Sequence, residues 1–366
     1  MQDNRPDDDP PTPINSEELK KRIAEINREN RSKAEQKEIK MLENKYLPKL
    51  EEYEKHLETL GKRNSYSKTD LDATFMRLKD DHMQNGQLKP AYNLQIGTEN
   101  QFISHFDFFH NPADFLTFKP FINGFRERFS VNFDTVLNSV VADSGYGSEE
   151  NYDFMELNEI EPFVKFPSFH KEQKKAFKNN AFIAQNLFYN SQKDYFVCPM
   201  GQHMEKTGEG SRISDSGFIS KVSYYEAKNC KGCPLKCLCY KAKGNRRIEV
   251  NHNLNRHKER VRQLLRSDEG LYHRSKRPIE PESVFGQGKS NKQYYRFRHF
   301  GKDLIRMDFA IFAIAFNIGK MYNKGKITPK NNQKSADLLK INLLVLIFIQ
   351  NHKINHAGTT NLKMAA

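Results

Sequence analysis

The apolar positions of this chain follow two different rhythms. From Asn15 to Leu60 they recur in steps of three and four: Leu19, Ile23 and Ile26 form one stripe, and Ile39, Leu42, Tyr46, Leu50, Tyr53, Leu57 and Leu60 form a second. That spacing predicts a helical arm or hairpin over residues 15–60. Asn15, with Glu18 three positions on, gives the arm a capping-box start, and Pro48 should kink the second stripe or open a new helix in its first turn. Further on the pattern changes. Ala91–Gly97 alternates as a strand does, Phe102–Phe109 (FISHFDFF) is a second strand candidate, and a helix is expected from about Phe115 to Phe129. Ser139–Ala142 is a short apolar run that ends in Asp143. Gly145 and Gly147 turn the chain, and Ser148 caps a helix whose first turn carries Glu149 and Glu150. Phe163–Phe166 reads as the next strand. Strand, strand, helix, strand, helix, strand is an α/β core with a mixed sheet.

Residues 170–255 interrupt that order with cysteines, glycines and many lysines, so they read as an insertion. The chain becomes helical again from Asn253. A last helix over Leu304–Met321 is apolar on nearly every face and is expected to be buried against the sheet. The organisation read from the pattern is therefore a disordered or extended lead-in (1–14), a helical arm (15–60), a core in two parts (61–169 and 256–323) around an insertion (170–255), and a tail (324–366) of no assigned structure. Three acids in a row and Pro10, Pro11 and Pro13 mark the lead-in.

Charge adds a partner to this picture. Of the 366 residues, 37% are hydrophobic and 29% charged, and the formal net charge is +13. That balance favours a polyanion, most simply nucleic acid. The residues Met1–Asp9 are acidic and proline-flanked, unlike a signal peptide. The longest apolar run, Ile341–Ile349, is interrupted at Asn342 and falls short of the roughly 20 residues that cross a bilayer. No membrane partner and a cytoplasmic location are expected.

Three groups of residues could carry chemistry. Cys230 and Cys233, then Cys237 and Cys239, and Cys198 in a Cys-Pro-Met-Gly turn suit a reduced metal site better than a disulfide framework. Cys198, Cys230, Cys233 and Cys239, with thiolates at about 2.3 Å, would close a tetrahedral structural zinc site, and Cys237 could replace Cys239. The stretch Lys241–Arg277 holds twelve Lys and Arg against four Asp and Glu. Its Arg246, Arg247, Arg256, Arg260, Arg262, Arg266, Arg274 and Arg277 are candidates for phosphate contacts, which give affinity without sequence information. The third group is acidic. Asp143 ends a strand, where ligand sites of open α/β sheets gather, although a helix-capping role would also place an aspartate there. Glu282 has Lys289 seven positions on, about two helical turns away, so an α-helix would set both on one face; an ordinary exposed pair on a basic helix is the plainer alternative. Two such acids suit phosphodiester cleavage and strand transfer, in which two Mg²⁺ ions about 4 Å apart serve the attacking and leaving oxygens.

Several blocks, in order, carry a more specific likeness. Gly61-Lys62-Arg63-Asn64-Ser65-Tyr66-Ser67-Lys68-Thr69-Asp70, Asp72-Ala73-Thr74-Phe75-Met76, Lys89-Pro90-Ala91-Tyr92-Asn93-Leu94-Gln95, Ala142-Asp143-Ser144-Gly145-Tyr146-Gly147-Ser148-Glu149-Glu150-Asn151, Glu282-Ser283-Val284-Phe285-Gly286, Arg296-Phe297-Arg298 and the helix with Asp308 and Asn317 resemble bacterial insertion-sequence transposases with a DDE domain, over about Tyr53 to Met321. The resemblance implies a ribonuclease-H-like fold, a mixed sheet flanked by helices, with Asp143 as the second catalytic acid, Glu282 as the third, and Lys289 as the basic residue at the family's six-residue gap. It also implies Mg²⁺, double-stranded DNA at insertion-sequence ends as the partner, Arg296 and Arg298 as further DNA contacts, a homodimer bridging two ends, and a bacterial, nucleoid-associated location. The family's first acid lies on an opening strand in an Asp-Gly-Thr type motif that this sequence lacks. Asp70 and Asp72 fall too late to replace it, and Gly288 stands where an apolar residue is expected. The expectation is an N-terminally shortened product or half of a split reading frame, with its first strand absent and a sheet edge open. It would be inactive in strand transfer by itself, or a zinc-stabilised DNA-binding remnant without catalysis.

Overall fold

A computed structural model of the protein describes residues 15–26, 32–77, 85–133 and 137–327. The lead-in and the apolar run of the tail lie outside the described residues. The chain divides into two compact units, Met1–Ala91 and Tyr92–Ala366, a boundary later than the change of rhythm after Leu60.

The first unit begins with helices α1 (Ser16–Ile26), α2 (Lys33–Met41) and α3 (Leu47–Leu60). Asn15 Oδ1 accepts the N–H of Glu18 at 2.8 Å, the start expected from the sequence. Ser32 and Glu35 form a full capping box on α2. A wide π turn, Leu42–Tyr46, joins α2 to α3, and Pro48 sits in the first turn of α3, where its missing N–H costs nothing. The N–H of Ser16 donates to Glu54 at 2.7 Å and Lys20 pairs with Glu51, so α1 lies on α3 through polar contacts. Leu42, Tyr46, Tyr53 and Leu57 of the second stripe remain exposed. Strands β1 (Thr74–Arg77) and β2 (Leu88–Ala91) pair antiparallel at the end of this unit.

The second unit holds two separate two-stranded ladders. Strands β3 (Asn93–Glu99) and β4 (Phe102–Phe109) are antiparallel, and β5 (Ser139–Ala142) and β6 (Glu161–Val164) are parallel. Helix α4 (Phe118–Phe133) leads into β5, and α5 (Glu149–Leu157) crosses between β5 and β6. Phe118 and Ile122 of α4, Tyr152 and Met155 of α5, and Phe163 and Val164 of β6 make one buried cluster. Gly147 is forced by packing: a Cβ there would stand 2.3 Å from the carbonyl oxygen of Lys165.

After the short helices α6 (Phe169–Glu172) and α7 (Lys175–Lys178), the insertion folds as a five-stranded antiparallel sheet. Strands β7 (Phe188–Asn190), β8 (Tyr195–Val197), β9 (His203–Ile213), β10 (Ile219–Ala227) and β11 (Arg247–Val250) pair in sequence order, with α8 (Lys236–Cys239) between the last two. Glu149 fixes this sheet to the core. Its buried carboxylate accepts from Ser220 of β10 at 2.5 Å and from Asn251 and Asn253 at 2.6 and 3.0 Å. The chain then forms α9 (His252–Leu264), α10 (Asp268–Lys276), α11 (Ser283–Gly286) and the long α12 (Lys302–Ile327).

Helix α12 is covered on one side only. Ile305, Phe309, Ala313 and Phe316 are buried, whereas Met307, Ile311, Ile318 and Tyr322 are exposed, so the expected burial against a sheet holds for one side of the helix and not for its other apolar positions. The covered side packs on β4: Phe309 meets Phe106 and Phe108 edge-on at 4.8 and 5.9 Å. Buried Asn317 accepts the N–H of Ile103 and donates to its carbonyl, both at 2.9 Å, and so satisfies backbone polar groups of β4.

His105 of β4 is 2% exposed, packs against Phe121 at 4.8 Å, and has no hydrogen-bond partner on either ring nitrogen among the described residues. Burial, then the charges of Arg128 and Arg306, push its pKa down from 6.5 to about 3. The folded ring stays neutral while the unfolded one takes a proton, so stability is complete above pH 6.5 and lost as pH falls toward 3. His105→Leu should remove a slope of up to about 1.4 kcal/mol per pH unit over that window in denaturant titrations; equal slopes in variant and wild type would show that the ring is not held neutral.

Candidate metal and DNA site

Parallel pairing places the site. Ala142 stands opposite Val164, so the next residues, Asp143 and Lys165, leave the same edge of the β5–β6 ladder side by side. Asp143 then caps a single 3-10 turn, Ser144–Tyr146, and accepts the N–H of Ser144 at 2.8 Å. Capping and exposure are thus combined in one side chain, which is 55% exposed.

Glu282 reaches the site from a helix distorted by proline. After α10 the chain keeps helical geometry, but Pro278 and Pro281 withhold N–H donors, and the stretch Pro278–Glu282 opens into a π turn before α11. A second π turn, Gln287–Asn291, follows. Val284 and Gly288 are buried, and Glu282, two positions before Val284, falls on the open side. The glycine at 288 has a packing cause: a Cβ would meet the Phe312 ring of α12 at 3.4 Å. Turns with i→i+5 bonds hold more residues than α turns. Seven positions therefore do not complete two turns, and Lys289 is half-buried.

The two acids converge on Arg277. Its Nη1 donates to Asp143 Oδ1 at 2.9 Å, and its Nη2 lies 3.5 Å from Glu282 Oε1. Because the guanidinium is small and planar, these two contacts limit the separation of the two oxygens to about 9 Å. Burial alone would raise the Asp143 pKa, but hydrogen bonds from Arg277 and the Ser144 N–H, with the charges of Arg277 and Lys165, hold it below the usual carboxylate range. Lys165 interacts with Asp143, Glu282, Arg274 and Arg277, and burial followed by the Arg277 charge lowers its pKa. His170 is lowered too, first by burial and then by Lys165 and Arg274. The two carboxylates thus stand beside the basic side chains of Arg277 and Lys165, with Arg274 close to Lys165. Lys165, His170 and the bridging role of Arg277 were missed in the sequence. The register of neighbouring parallel strands was the available signal for Lys165.

The other arginines singled out for DNA divide into distinct environments. Arg246 is 4% exposed; its guanidinium donates to the Phe182 carbonyl at 2.7 Å and to Cys239 Sγ at 2.9 Å. A group so enclosed does not present itself to a duplex, and its place is in the cysteine pocket. Arg256 forks onto Glu156 at 2.7 and 2.8 Å, Arg260 reaches the same carboxylate at 3.2 Å, and Arg262 pairs with Glu172 at 2.9 Å. Arg274 lies over the Phe169 ring and Arg247 over Tyr224. Arg266, Arg296 and Arg298 are exposed.

Cys198, Cys230, Cys233 and Cys239 line one pocket with Arg246, while Cys237 is exposed and outside it. The Arg246 N–H also donates to Cys230 Sγ at 3.3 Å. Among the described residues no three of these sulfurs lie within 4.8 Å of one another. A different trio does: Asp153 and Glu156 of α5 with His257 of α9. Its oxygens already accept from protein donors, Asp153 from His257 at 2.6 Å and Asn253 at 3.0 Å, Glu156 from the two arginines. It is an ion-pair seam between helices.

A family model described as Transposase DDE domain matches residues 197–322. The matched span holds Glu282, Lys289, all five cysteines and most of α12; Asp143 lies outside it. The match supports a DDE transposase, and the mixed α/β architecture is compatible with a ribonuclease-H-like fold. No curated protein and no solved structure matches the chain. Among the described residues no helix is long and apolar enough to cross a membrane.

The seam yields a pH prediction. Hydrogen bonding from Arg256, outweighing burial and helped by nearby positive charge, lowers the Glu156 pKa from 4.5 to about 2. The stability it lends is complete above pH 4.5 and lost as pH falls toward 2. Because the pair is substantially exposed, Glu156→Gln should cost less than about 1 kcal/mol at neutral pH, and the difference from wild type should close on acidification. A difference that stays constant with pH would contradict the pairing.

Proposed function

We propose that this chain is the part of an insertion-sequence transposase that binds double-stranded DNA and carries two of the three metal-binding acids, Asp143 and Glu282. The observation that carries the reading is their convergence on one guanidinium from elements far apart in sequence. By donor type the pair fits a hard divalent ion such as Mg²⁺, which prefers carboxylate oxygens. When bound there, the metal would activate the attacking oxygen and steady the leaving one in phosphodiester cleavage and strand transfer. The protein's own residues supply the rest. Asp143 and Glu282 would hold the ion, Lys165, Arg274 and Arg277 would neutralise a phosphate beside it, and Lys289 would contact a neighbouring phosphate. Arg247, Arg266, Arg296 and Arg298 add sequence-independent affinity, and the exposed pairs of Arg256, Arg260 and Arg262 are weak enough to be exchanged for phosphate.

Strand transfer also needs a third carboxylate. The 366 residues contain no Asp-Gly-Thr strand, and the ladders β3–β4 and β5–β6 are not joined by a strand among the described residues. The Asp143–Glu282 pair therefore has no Asp-Gly-Thr acid within these residues to complete it. The cysteine pocket supports a structural zinc held by Cys198, Cys230, Cys233 and Cys239. Closing that site requires the sulfurs to draw in to about 4 Å from one another, as tetrahedral bonds of about 2.3 Å demand. A zinc-stabilised DNA-binding remnant without catalysis is the second reading, favoured by the basic side chains beside the acids.

The purified chain should bind duplex DNA with an affinity that falls steeply as salt rises, and show no Mg²⁺-dependent cleavage of insertion-sequence ends. Supplying an Asp-Gly-Thr strand segment should restore cleavage, and Asp143→Asn or Glu282→Gln should abolish it. Salt-independent binding, or cleavage by the chain alone, would overturn this account. Zinc analysis should find about one equivalent per chain, lost in Cys233→Ser but retained in Cys237→Ser; the reverse pattern, or well under one equivalent in the wild type, would exclude the assigned ligands.

A further inference from the structure

We propose that Arg277 is an exchangeable occupant of the space between Asp143 and Glu282, and that it couples metal binding to DNA binding by moving from the two carboxylates to a backbone phosphate. This rests on reading the two acids as the metal-binding pair.

The geometry sets up a competition. Arg277 is the most enclosed member of the trio, its side chain 16% exposed against 55% and 57% for the carboxylates. It reaches each acid with a different nitrogen, so it stands between them rather than beside one. A Mg²⁺ or Mn²⁺ ion shared by both side chains would draw their oxygens to within about 4 Å, given metal–oxygen distances of about 2.0–2.1 Å. The guanidinium and the ion therefore cannot hold the same two oxygens together.

The guanidinium is also loosely held. Neither acid is gripped by two parallel N–H···O bonds, the arrangement that makes arginine–carboxylate pairs strong. Lys165 and Arg274 add like charge around it, and the depressed Lys165 pKa reflects burial and that crowding. Once displaced by a divalent cation, Arg277 gains most from a phosphate, whose oxygens match its fork. When DNA offers that phosphate, vacating the acids becomes less costly and the metal binds more tightly. By linkage the metal must then tighten DNA to the same degree.

The test is Mn²⁺ binding by the full chain, read by electron paramagnetic resonance of free Mn²⁺, with and without a short duplex of arbitrary sequence and with duplex-only controls. In the wild type the duplex should tighten Mn²⁺ binding by roughly fivefold or more. Arg277→Gln should tighten Mn²⁺ binding by a similar factor without DNA and lose the effect of the duplex. Arg277→Lys, which keeps the charge without the fork, should fall between and guards against a misfolded glutamine variant. Asp143→Asn should abolish binding at this site throughout. If Arg277→Gln binds Mn²⁺ no better than wild type, or keeps the duplex effect, while Asp143→Asn loses the ion, the role of Arg277 is wrong and the metal pair stands. If Asp143→Asn changes nothing, the pair itself falls and the exchange with it.

Discussion

One guanidinium joins the tip of β5 to the helix that carries Glu282, and the candidate site depends on that junction. Two like-charged carboxylates brought within about 9 Å would repel each other. Arg277 neutralises them from a position fixed by α10 on one side and by the proline-opened turn on the other. Because both acids are more than half exposed, each ion pair is worth little by itself. The arrangement therefore owes its place to the surrounding packing: Gly147 against the end of β6, buried Val284, Gly288 against Phe312 of α12, and Asn317 of α12 against the backbone of β4.

The same logic ties the five-stranded sheet to the site. Glu149 and Glu150 open α5, where negative charge complements the helix dipole. In the folded chain they also accept from Ser220 and Ser216 of the insertion, and from Asn251 and Asn253 at the start of α9. The turn that presents Asp143 thus leads directly into the residues that anchor the insertion. Arg246 extends the connection inward, linking the Phe182 carbonyl to the sulfur of Cys239.

Much of the core was legible in the sequence because its elements bury one face each. Phe102–Phe109 and Ser139–Ala142 fall where alternation and apolar runs put them, and Ser148 caps α5 through the N–H of Asn151. Spacing alone left Cys237 and Cys239 as alternatives; in the fold Cys239 lines the pocket with Cys198, Cys230 and Cys233, and Cys237 is outside it. The five-stranded sheet was not legible: β9 (HMEKTGEGSRI) is polar and glycine-containing and is largely exposed, so no hydrophobic period marks it. The π turns flanking α11 were hidden because i→i+5 bonding follows from two prolines and tertiary packing, not from a repeat. The basic stretch was read as one DNA-facing run, yet Arg246 is buried and Arg256, Arg260 and Arg262 are matched to acids more than 80 positions earlier, Glu156 and Glu172. Nothing in local pattern reveals such partners.

The central claim is that Asp143 and Glu282 serve one metal site. Crystals of the chain soaked in Mn²⁺ and measured at the manganese edge test it most directly. The account predicts an anomalous peak touching both side chains, with Arg277 turned away from them. A peak at Asp153, Glu156 and His257 instead, or none near Asp143 and Glu282 at saturating Mn²⁺, would contradict it.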